Sequence, residues 1–460
     1  MPKMATPRAS GSPTLSSDAP RSDADTIVAV ATPPGRGGIG IVRISGPATR
    51  AIAAAVLGRV PVPRYATTAA FADGRGGTID VGLALFFPGP RSFTGEDVLE
   101  LHGHGGPVVM DLLVRRALEL GARPARPGEF SERAFHNDKI DLAQAEAIAD
   151  LIGAGSAEAA RAALGSLAGE FSHEITELGR RIMELRVFVE AAIDFPDEDA
   201  RFLESAEVRD RLSEISARFT AIEQAARQGR ALNEGLSVVI AGRPNAGKSS
   251  LLNALAGHDA AIVTAIPGTT RDVLREHIAI DGLPIHVIDT AGLRDSADAI
   301  EEEGMRRARA EMRRADLVLY LVDTCVGAAP GELESLPDDP PVLPVWNKID
   351  LAEPPPGAAG AAISALTGAG LPELRERLKA AAGYRSGDAG AYSARRRHLD
   401  ALSRAKRLVQ TAATRLAERA TFELVAEDLR LAQRALGEIT GEVTSDALLA
   451  AVFSSFCIGK

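Results

Sequence analysis

One segment, residues 236–255, limits the possible folds more than any other. Gly242-Arg243-Pro244-Asn245-Ala246-Gly247-Lys248-Ser249 fits the pattern G-x-x-x-x-G-K-[ST]. The apolar run Leu236-Ser237-Val238-Val239-Ile240-Ala241 leads into it, and Ser250-Leu251-Leu252-Asn253-Ala254-Leu255 reads as a helix leaving it. A strand, a Gly-containing loop and a helix N-terminus in this order form a phosphate cradle. The glycines let the backbone curl its N–H groups inward, and the helix end adds positive potential. On this reading Lys248 reaches the β- and γ-phosphates of a nucleotide, and the Ser249 hydroxyl binds Mg²⁺.

Further signals follow in the order that a guanine-nucleotide domain requires. Asp289-Thr290-Ala291-Gly292 comes directly after the strand-like His286-Val287-Ile288. Asp289 is expected to act on Mg²⁺ through water, and the Gly292 N–H to meet the γ-phosphate. Asn347-Lys348-Ile349-Asp350 comes after Val342-Leu343-Pro344-Val345. A carboxylate at Asp350 accepts both guanine N1–H and N2–H₂, which adenine does not offer, so this tetrapeptide selects GTP over ATP. Ser364 and Ala365 close the base pocket with backbone N–H groups. In Gly268-Thr269-Thr270-Arg271-Asp272, Thr270 is the expected second Mg²⁺ ligand, in a loop that orders with GTP.

The remaining chain sets these motifs in context. Its 460 residues are 45% hydrophobic, enough for two or three cores. A net charge of -10 argues against a uniformly basic nucleic-acid binder but leaves room for a local basic patch. Only Cys325 and Cys457 occur, which fits a reducing cytoplasm and provides no disulfide or metal framework. No apolar run is long enough to span a bilayer. Residues 1–25, rich in Pro, Ser and Ala, read as a disordered tail, and Asp18, Asp23 and Asp25 argue against a transit peptide. Residues 26–141 read as mixed α/β, with strand-like runs at Ile27–Ala31, Ile39–Ile44 and Val81–Phe87. Helical periodicity governs 142–234, broken near Pro196, and returns in 385–460 after a polar linker, Arg385–Tyr392. Strands alternate with helices across 235–384, which predicts a doubly wound, mostly parallel sheet. The two helical flanks share composition, so the nucleotide domain is expected to be inserted into one discontinuous helical domain. The basic run Arg395-Arg396-Arg397-His398 fits either contact with RNA phosphates or a solvated helix start.

Catalysis leaves a gap. Many GTPases hold the attacking water with a Gln after D-x-x-G, but Leu293 stands there. No arginine finger is identifiable. Asp295, Asp298, Glu301, Glu302 and Glu303 follow, and spacing alone prefers none of them.

Asn245, the Gly268–Asp272 loop, Leu293 and the terminal Phe456-Cys457-Ile458-Gly459-Lys460 together resemble the MnmE (TrmE) family of tRNA-modification GTPases. So do Ala31–Gly38, Ser92–Asp97 and Arg126–Ser131, and the resemblance runs from about Thr26 to Lys460. It implies an N-terminal α/β folate-binding and dimerisation domain, a discontinuous all-α domain and an inserted P-loop GTPase domain. The GTP site is then Asn245, Ala246, Gly247, Lys248, Ser249 and Ser250, the loop Thr264, Ala265, Ile266, Pro267, Gly268, Thr269 and Thr270, then Asp289, Thr290, Ala291 and Gly292, and Asn347, Lys348, Asp350, Ser364 and Ala365. It places K⁺ where an arginine finger would act, held by Asn245, Thr264, Ile266 and Thr269, and it selects Glu301, three residues before Gly304, to orient water.

For the N-terminal domain the resemblance implies a tetrahydrofolate derivative (5,10-methylene or 5-formyl) held by Arg43, Glu100 and Lys139, with Lys460 nearby. Cys457 receives a role in the modification chemistry, against the alternative of a buried small hydrophobe. The implied partners are a second copy of the chain, tRNA and an FAD-dependent MnmG-type protein in a heterotetramer or larger complex. The implied product is a carboxymethylaminomethyl or aminomethyl group at C5 of wobble uridine 34. A rival from another class is an RNA-associated regulatory or ribosome-assembly switch without modification chemistry. An ion-transport GTPase is disfavoured by the missing membrane spans. Leu366 stands where many GTPases carry Lys against the base.

Overall fold

The computed structural model describes residues 25–194, 206–256, 275–289, 315–329, 340–384, 392–418 and 421–459. Two compact units emerge, Met1–Lys139 with Phe453–Lys460, and Ile140–Val452.

The first unit is built on a six-stranded sheet ordered β3-β4-β5-β2-β1-β6. Its strands are β1 Ile27–Val30, β2 Gly37–Ser45, β3 Thr67–Ala72, β4 Thr78–Phe87, β5 Val98–Gly105 and β6 Arg123–Pro124. β2 and β5 pair antiparallel, with Arg43 opposite Glu100. Helices α1 (Thr49–Leu57) and α2 (Pro107–Glu119) bury Ile52, Val56, Met110 and Leu113 with Val42, Ile44, Leu99 and Leu101. Alternation along β2 puts these apolar residues in the core and leaves Arg43 on the other parity. There α3 (Glu129–His136) sets Phe130 against Ile27 and Ala29.

In the second unit, α4 (Leu142–Gly153) starts with a reciprocal cap. Gln144 N donates to Asp141 Oδ1 at 2.8 Å, and Asp141 N to Gln144 Oε1 at 2.9 Å. Ser156 caps α5 (Ala157–Leu167), and α6 (Glu170–Asp194) and α7 (Ala206–Glu234) follow. After the nucleotide-binding region come α10 (Arg396–Ala417), α11 (Phe422–Thr440), which ends at the left-handed Gly441, and α12 (Asp446–Ser454). Phe171, Ile182, Leu185, Ile215 and Phe219 from before the insertion share one core with Leu402, Val409, Leu429, Leu436 and Ile439 from after it.

Between these flanks lies a second six-stranded sheet, ordered β12-β11-β10-β7-β9-β8. It comprises β7 Leu236–Gly242, β8 Arg275–Ile280, β9 Leu283–Asp289, β10 Leu317–Asp323, β11 Val342–Asn347 and β12 Ala361–Ile363. All neighbours are parallel except the β8–β9 hairpin. Central β7 is almost continuously buried, as a strand covered on both faces must be. Its Val238 and Ile240 join the core that holds Leu251 and Leu255 of α8 (Lys248–Ala256) and Leu374 and Leu378 of α9 (Leu371–Ala381), while Val239 and Ala241 join Ile288 and Val318. Chain order reverses at β7, whose neighbours are β9 and β10, so its C-terminal end is the topological switch point where open α/β sheets take ligands.

Candidate functional site

At that switch point β7 runs into Gly242, with φ of 139°, and Gly247, with φ of 96°. A Cβ on Gly242 would lie 2.4 Å from Leu321 O, and one on Gly247 only 2.2 Å from Asn347 Nδ2, so the loop accepts no side chain at either place. Asn245 also holds left-handed backbone, φ 63°, and is exposed. Lys248 folds back over the loop, its Nζ donating to Gly242 O at 3.1 Å and Arg243 O at 3.0 Å. Ser249 and Ser250 are exposed in the first turn of α8, and Ala246 is buried beneath the loop. This loop fits a phosphate group. Its curled backbone excludes Cβ atoms, and its lysine is satisfied by carbonyls that a phosphate oxygen would replace.

Asn347, at the end of β11, is 2% exposed and ties distant loops together. Its Nδ2 donates to Ala246 O at 2.8 Å, and its Oδ1 accepts from Ala365 N at 3.0 Å. The phosphate loop and the Ser364–Ala365 loop are thus held by one side chain. Ser364 is buried and accepts from Thr367 N at 3.1 Å, which fixes the turn. Lys348 has φ of 70°, and its Nζ lies 2.7 Å from Asp323 Oδ2. The Lys348 hydrogen bond is the main cause that holds the Asp323 carboxyl below its usual range. Asp350 is exposed in the following turn. Leu366 is 87% exposed beside this pocket. Asp289 closes β9 in register with Ile240, so its backbone lies next to the strand that feeds the loop.

Thr264–Thr270, Thr290, Ala291, Gly292, Glu301, Glu302, Glu303 and Lys460 lie outside the described residues. Sequence reading missed Asp323 and Thr324. Thr324 N donates to Asn347 O at 3.0 Å, placing the β10 turn against the base loop. A usable signal was present, since Asp323-Thr324 are the first polar residues after the apolar run Leu317–Val322, at the C-terminal end of a strand.

In the N-terminal unit Arg43 and Glu100 meet across strands. Arg43 Nε and Nη2 both lie 2.8 Å from Glu100 Oε1. Arg43 Nη1 also donates to Gly459 O at 3.4 Å, and its guanidinium sits 5.8 Å from the rings of Phe93 and Phe130. His102 Nε2 lies 3.1 Å from Glu100 Oε2. The pairing leaves guanidinium and carboxylate at one place, a donor set suited to a ligand with both carboxylate and N–H groups. Lys139 is exposed after α3. The terminal segment threads along this unit. Gly128 N donates to Cys457 O at 3.4 Å, and a Cβ on Gly459 would lie 2.3 Å from Val30 O. Cys457 itself is exposed, so the alternative of a buried small hydrophobe does not hold.

The Arg395–His398 run fits neither expectation. Only Arg396 is exposed. Arg397 Nε and Nη2 bind the Glu146 carboxylate at 2.8 and 2.7 Å, and Arg395 Nη2 lies 2.7 Å from Asp150 Oδ1. Glu146 and Asp150 sit on one face of α4, so these cations are consumed inside the fold.

A family profile described as "MnmE helical domain" matches residues 142–457, and one described as "GTP-binding protein TrmE N-terminus" matches 26–139. The tRNA modification GTPase MnmE of Nitrosococcus oceani is 57% identical over 96% of this chain and 99% of its own length. The proteins of that name from Alkalilimnicola ehrlichii and Aeromonas salmonicida are each 57% identical over 95% of this chain and 99% of their own lengths. With end-to-end identity at this level, and with the phosphate loop at the switch point of its sheet, the chain belongs to the MnmE family of tRNA modification GTPases.

Proposed function

We propose that this protein hydrolyses GTP under K⁺ activation and, with an FAD-dependent MnmG-type partner, modifies C5 of wobble uridine 34 in certain tRNAs with a carboxymethylaminomethyl or aminomethyl group. The observation that carries the nucleotide half is the bridge made by Asn347 between Ala246 and Ala365. It holds the phosphate loop beside the base loop, which supports one nucleotide reaching from Lys248 to Asp350. Ser249 and Thr270 would hold Mg²⁺, which neutralises phosphate charge. Asn245 with Thr264, Ile266 and Thr269 would hold K⁺, which offsets charge developing in the transition state. Asp289 would hold Mg²⁺ through water, and Glu301 would orient the attacking water. Lys248 exchanges its loop carbonyls for phosphate oxygens, so binding costs it no unpaired donor.

The modification half rests on the Arg43–Glu100 pair in the N-terminal unit. Arg43, Lys139 and Lys460 would bind the carboxylates of a tetrahydrofolate derivative, and Glu100 its pterin N–H groups. That cofactor supplies a one-carbon unit, and Cys457, exposed on the terminal segment, is the chain's own participant in that chemistry. The N-terminal unit is proposed to pair with a second copy. Domains are assigned as 26–141, 142–234, 235–384 and 385–460, after a tail of 1–25. The protein is proposed to act in the cytoplasm, and no described helix is long and apolar enough to cross a membrane.

Mass spectrometry of wobble uridines from cells lacking the protein tests the whole reading. Loss of the C5 substituent is expected, and its full retention would leave the regulatory-switch alternative. GTP turnover in KCl is expected to exceed that in NaCl by at least about tenfold, the scale of one transition-state charge contact. Equal rates would remove K⁺ from the mechanism.

A further inference from the structure

β9 reaches from the nucleotide site at Asp289 to a tight turn at its other end. Asp281 and Gly282 there have φ of 49° and 89°. Left-handed backbone at both positions is the two-residue hairpin turn for which Asp-Gly is the preferred sequence. Side chains alternate along the strand that follows. Leu283, Ile285 and Val287 join the core of the nucleotide-binding region. On the other parity, Gly282, Pro284 and His286 meet the helical region instead. A Cβ on Gly282 would lie 2.5 Å from Glu158 Oε2 of α5. A Cβ on Gly155, in the α4–α5 turn, would lie 3.8 Å from Pro284. His286 Nε2 lies 3.1 Å from the Glu234 carbonyl oxygen at the end of α7.

The turn is also clamped from α9. Lys379 has a side chain only 6% exposed, and its Nζ lies 2.7 Å from Asp281 Oδ2 and 2.6 Å from Glu376 Oε1. Tyr384 OH donates to Asp281 O at 3.1 Å. A lysine is rarely buried unless paired, so this side chain is held in one geometry. Glu234 and Gly235 form the covalent entry into the nucleotide-binding region, and Tyr384 stands at its exit. Both connections are therefore fastened to one hairpin. Ala159 and Ala162 of α5 and Ala231 and Leu232 of α7 share a core with Ile278, Ile280, Leu283 and Ile285 of that hairpin. A packed contact of this kind moves as a body or not at all.

We propose that the β8–β9 hairpin transmits nucleotide state from the Asp289 end of β9 to the helical region, with Lys379 as the positioning residue that holds its tip. The proposal rests on the GTPase reading above. Hydrogen exchange of the full-length protein with GDP and with a non-hydrolysable GTP analogue tests it, read over Ala157–Leu167 of α5. The wild type should show a nucleotide-dependent difference there. In Lys379→Met that difference should shrink about fivefold or more, while nucleotide Kd stays within about twofold of wild type. Lys379→Arg, which keeps a cation beside Asp281, should retain the difference, and thermal unfolding of Lys379→Met separates lost transmission from lost stability. His286→Ala loosens the other end without disturbing the buried pair, and should reduce the difference too. The proposal is overturned if α5 exchange is the same in both nucleotide states of a wild type that binds both. It is equally overturned if Lys379→Met and His286→Ala keep the full difference, or if Lys379→Arg loses it as completely as Lys379→Met. A wild type that binds neither nucleotide would overturn the GTPase reading itself.

Discussion

Asn347 illustrates how much one side chain decides. Its amide is buried, and both of its ends are used, one by the phosphate loop and one by the base loop. Removing it leaves the Ala246 carbonyl and the Ala365 N–H without partners. At about 1–1.5 kcal/mol for each of the two lost bonds, Asn347→Ala should weaken GDP binding roughly 30- to 150-fold. Isothermal titration calorimetry measures this, and circular dichroism should show an unchanged fold. Glu146 has the same weight in the helical region. Its side chain is 2% exposed, beside Arg397 and with His398 Nε2 at 2.8 Å from Oε2. Burial by itself would raise this carboxyl, but His398 and Arg397 outweigh burial and hold it well below the ordinary 4.5. A depressed carboxyl adds stability that is present above its unfolded pKa and is lost as pH falls toward the folded one. Stability of the helical region should therefore decline as pH drops below about 4.5. Glu146→Gln should cost about 3 kcal/mol near neutral pH and flatten that acid limb, as chemical denaturation at several pH values would show.

At the scale of elements, local sequence carried much of the outcome. The strand, loop and helix around Gly242–Ser249 are legible because each property needed is a property of consecutive residues. These are an apolar run, glycines where φ is positive and a helix former after the lysine. The Asp141 and Gln144 cap and the Asp281-Gly282 turn are legible for the same reason. The Arg395–His398 run was not. A cluster of cations at a helix start reads alike whether it faces solvent, RNA or a buried carboxylate. The choice was made by Glu146, 251 residues away. The burial alternative for Cys457 failed on similar grounds. An apolar neighbourhood in sequence suggests burial, but the terminal segment lies along the unit with Phe456 and Gly459 turned in and Cys457 turned out.

At the scale of the whole molecule, each unit is closed by segments far apart in the chain. Phe171, Leu185 and Phe219 pack with Leu402, Leu429 and Ile439 in one core. A chain ending at residue 384 should therefore lack a stable helical region. Each large aliphatic removed from that core would withdraw about 2–5 kcal/mol, far beyond an ordinary stability margin. Thermal unfolding followed by circular dichroism should show this region's cooperative transition lost, and the full chain's retained. The sequence by itself determined which nucleotide chemistry is possible, because Lys248, Asn347 and Asp350 occur in short contiguous motifs whose local backbone geometry carries their function. Tertiary structure alone decided which charges are spent inside the fold, how Arg43 meets Glu100 and, 416 residues away, Gly459, and which hairpin fastens the nucleotide region to its helices. The physical reason is range. Hydrogen-bonded turns and caps are set by neighbours in the chain, whereas ion pairs and packed contacts depend on where sheet order and helix packing bring distant residues together.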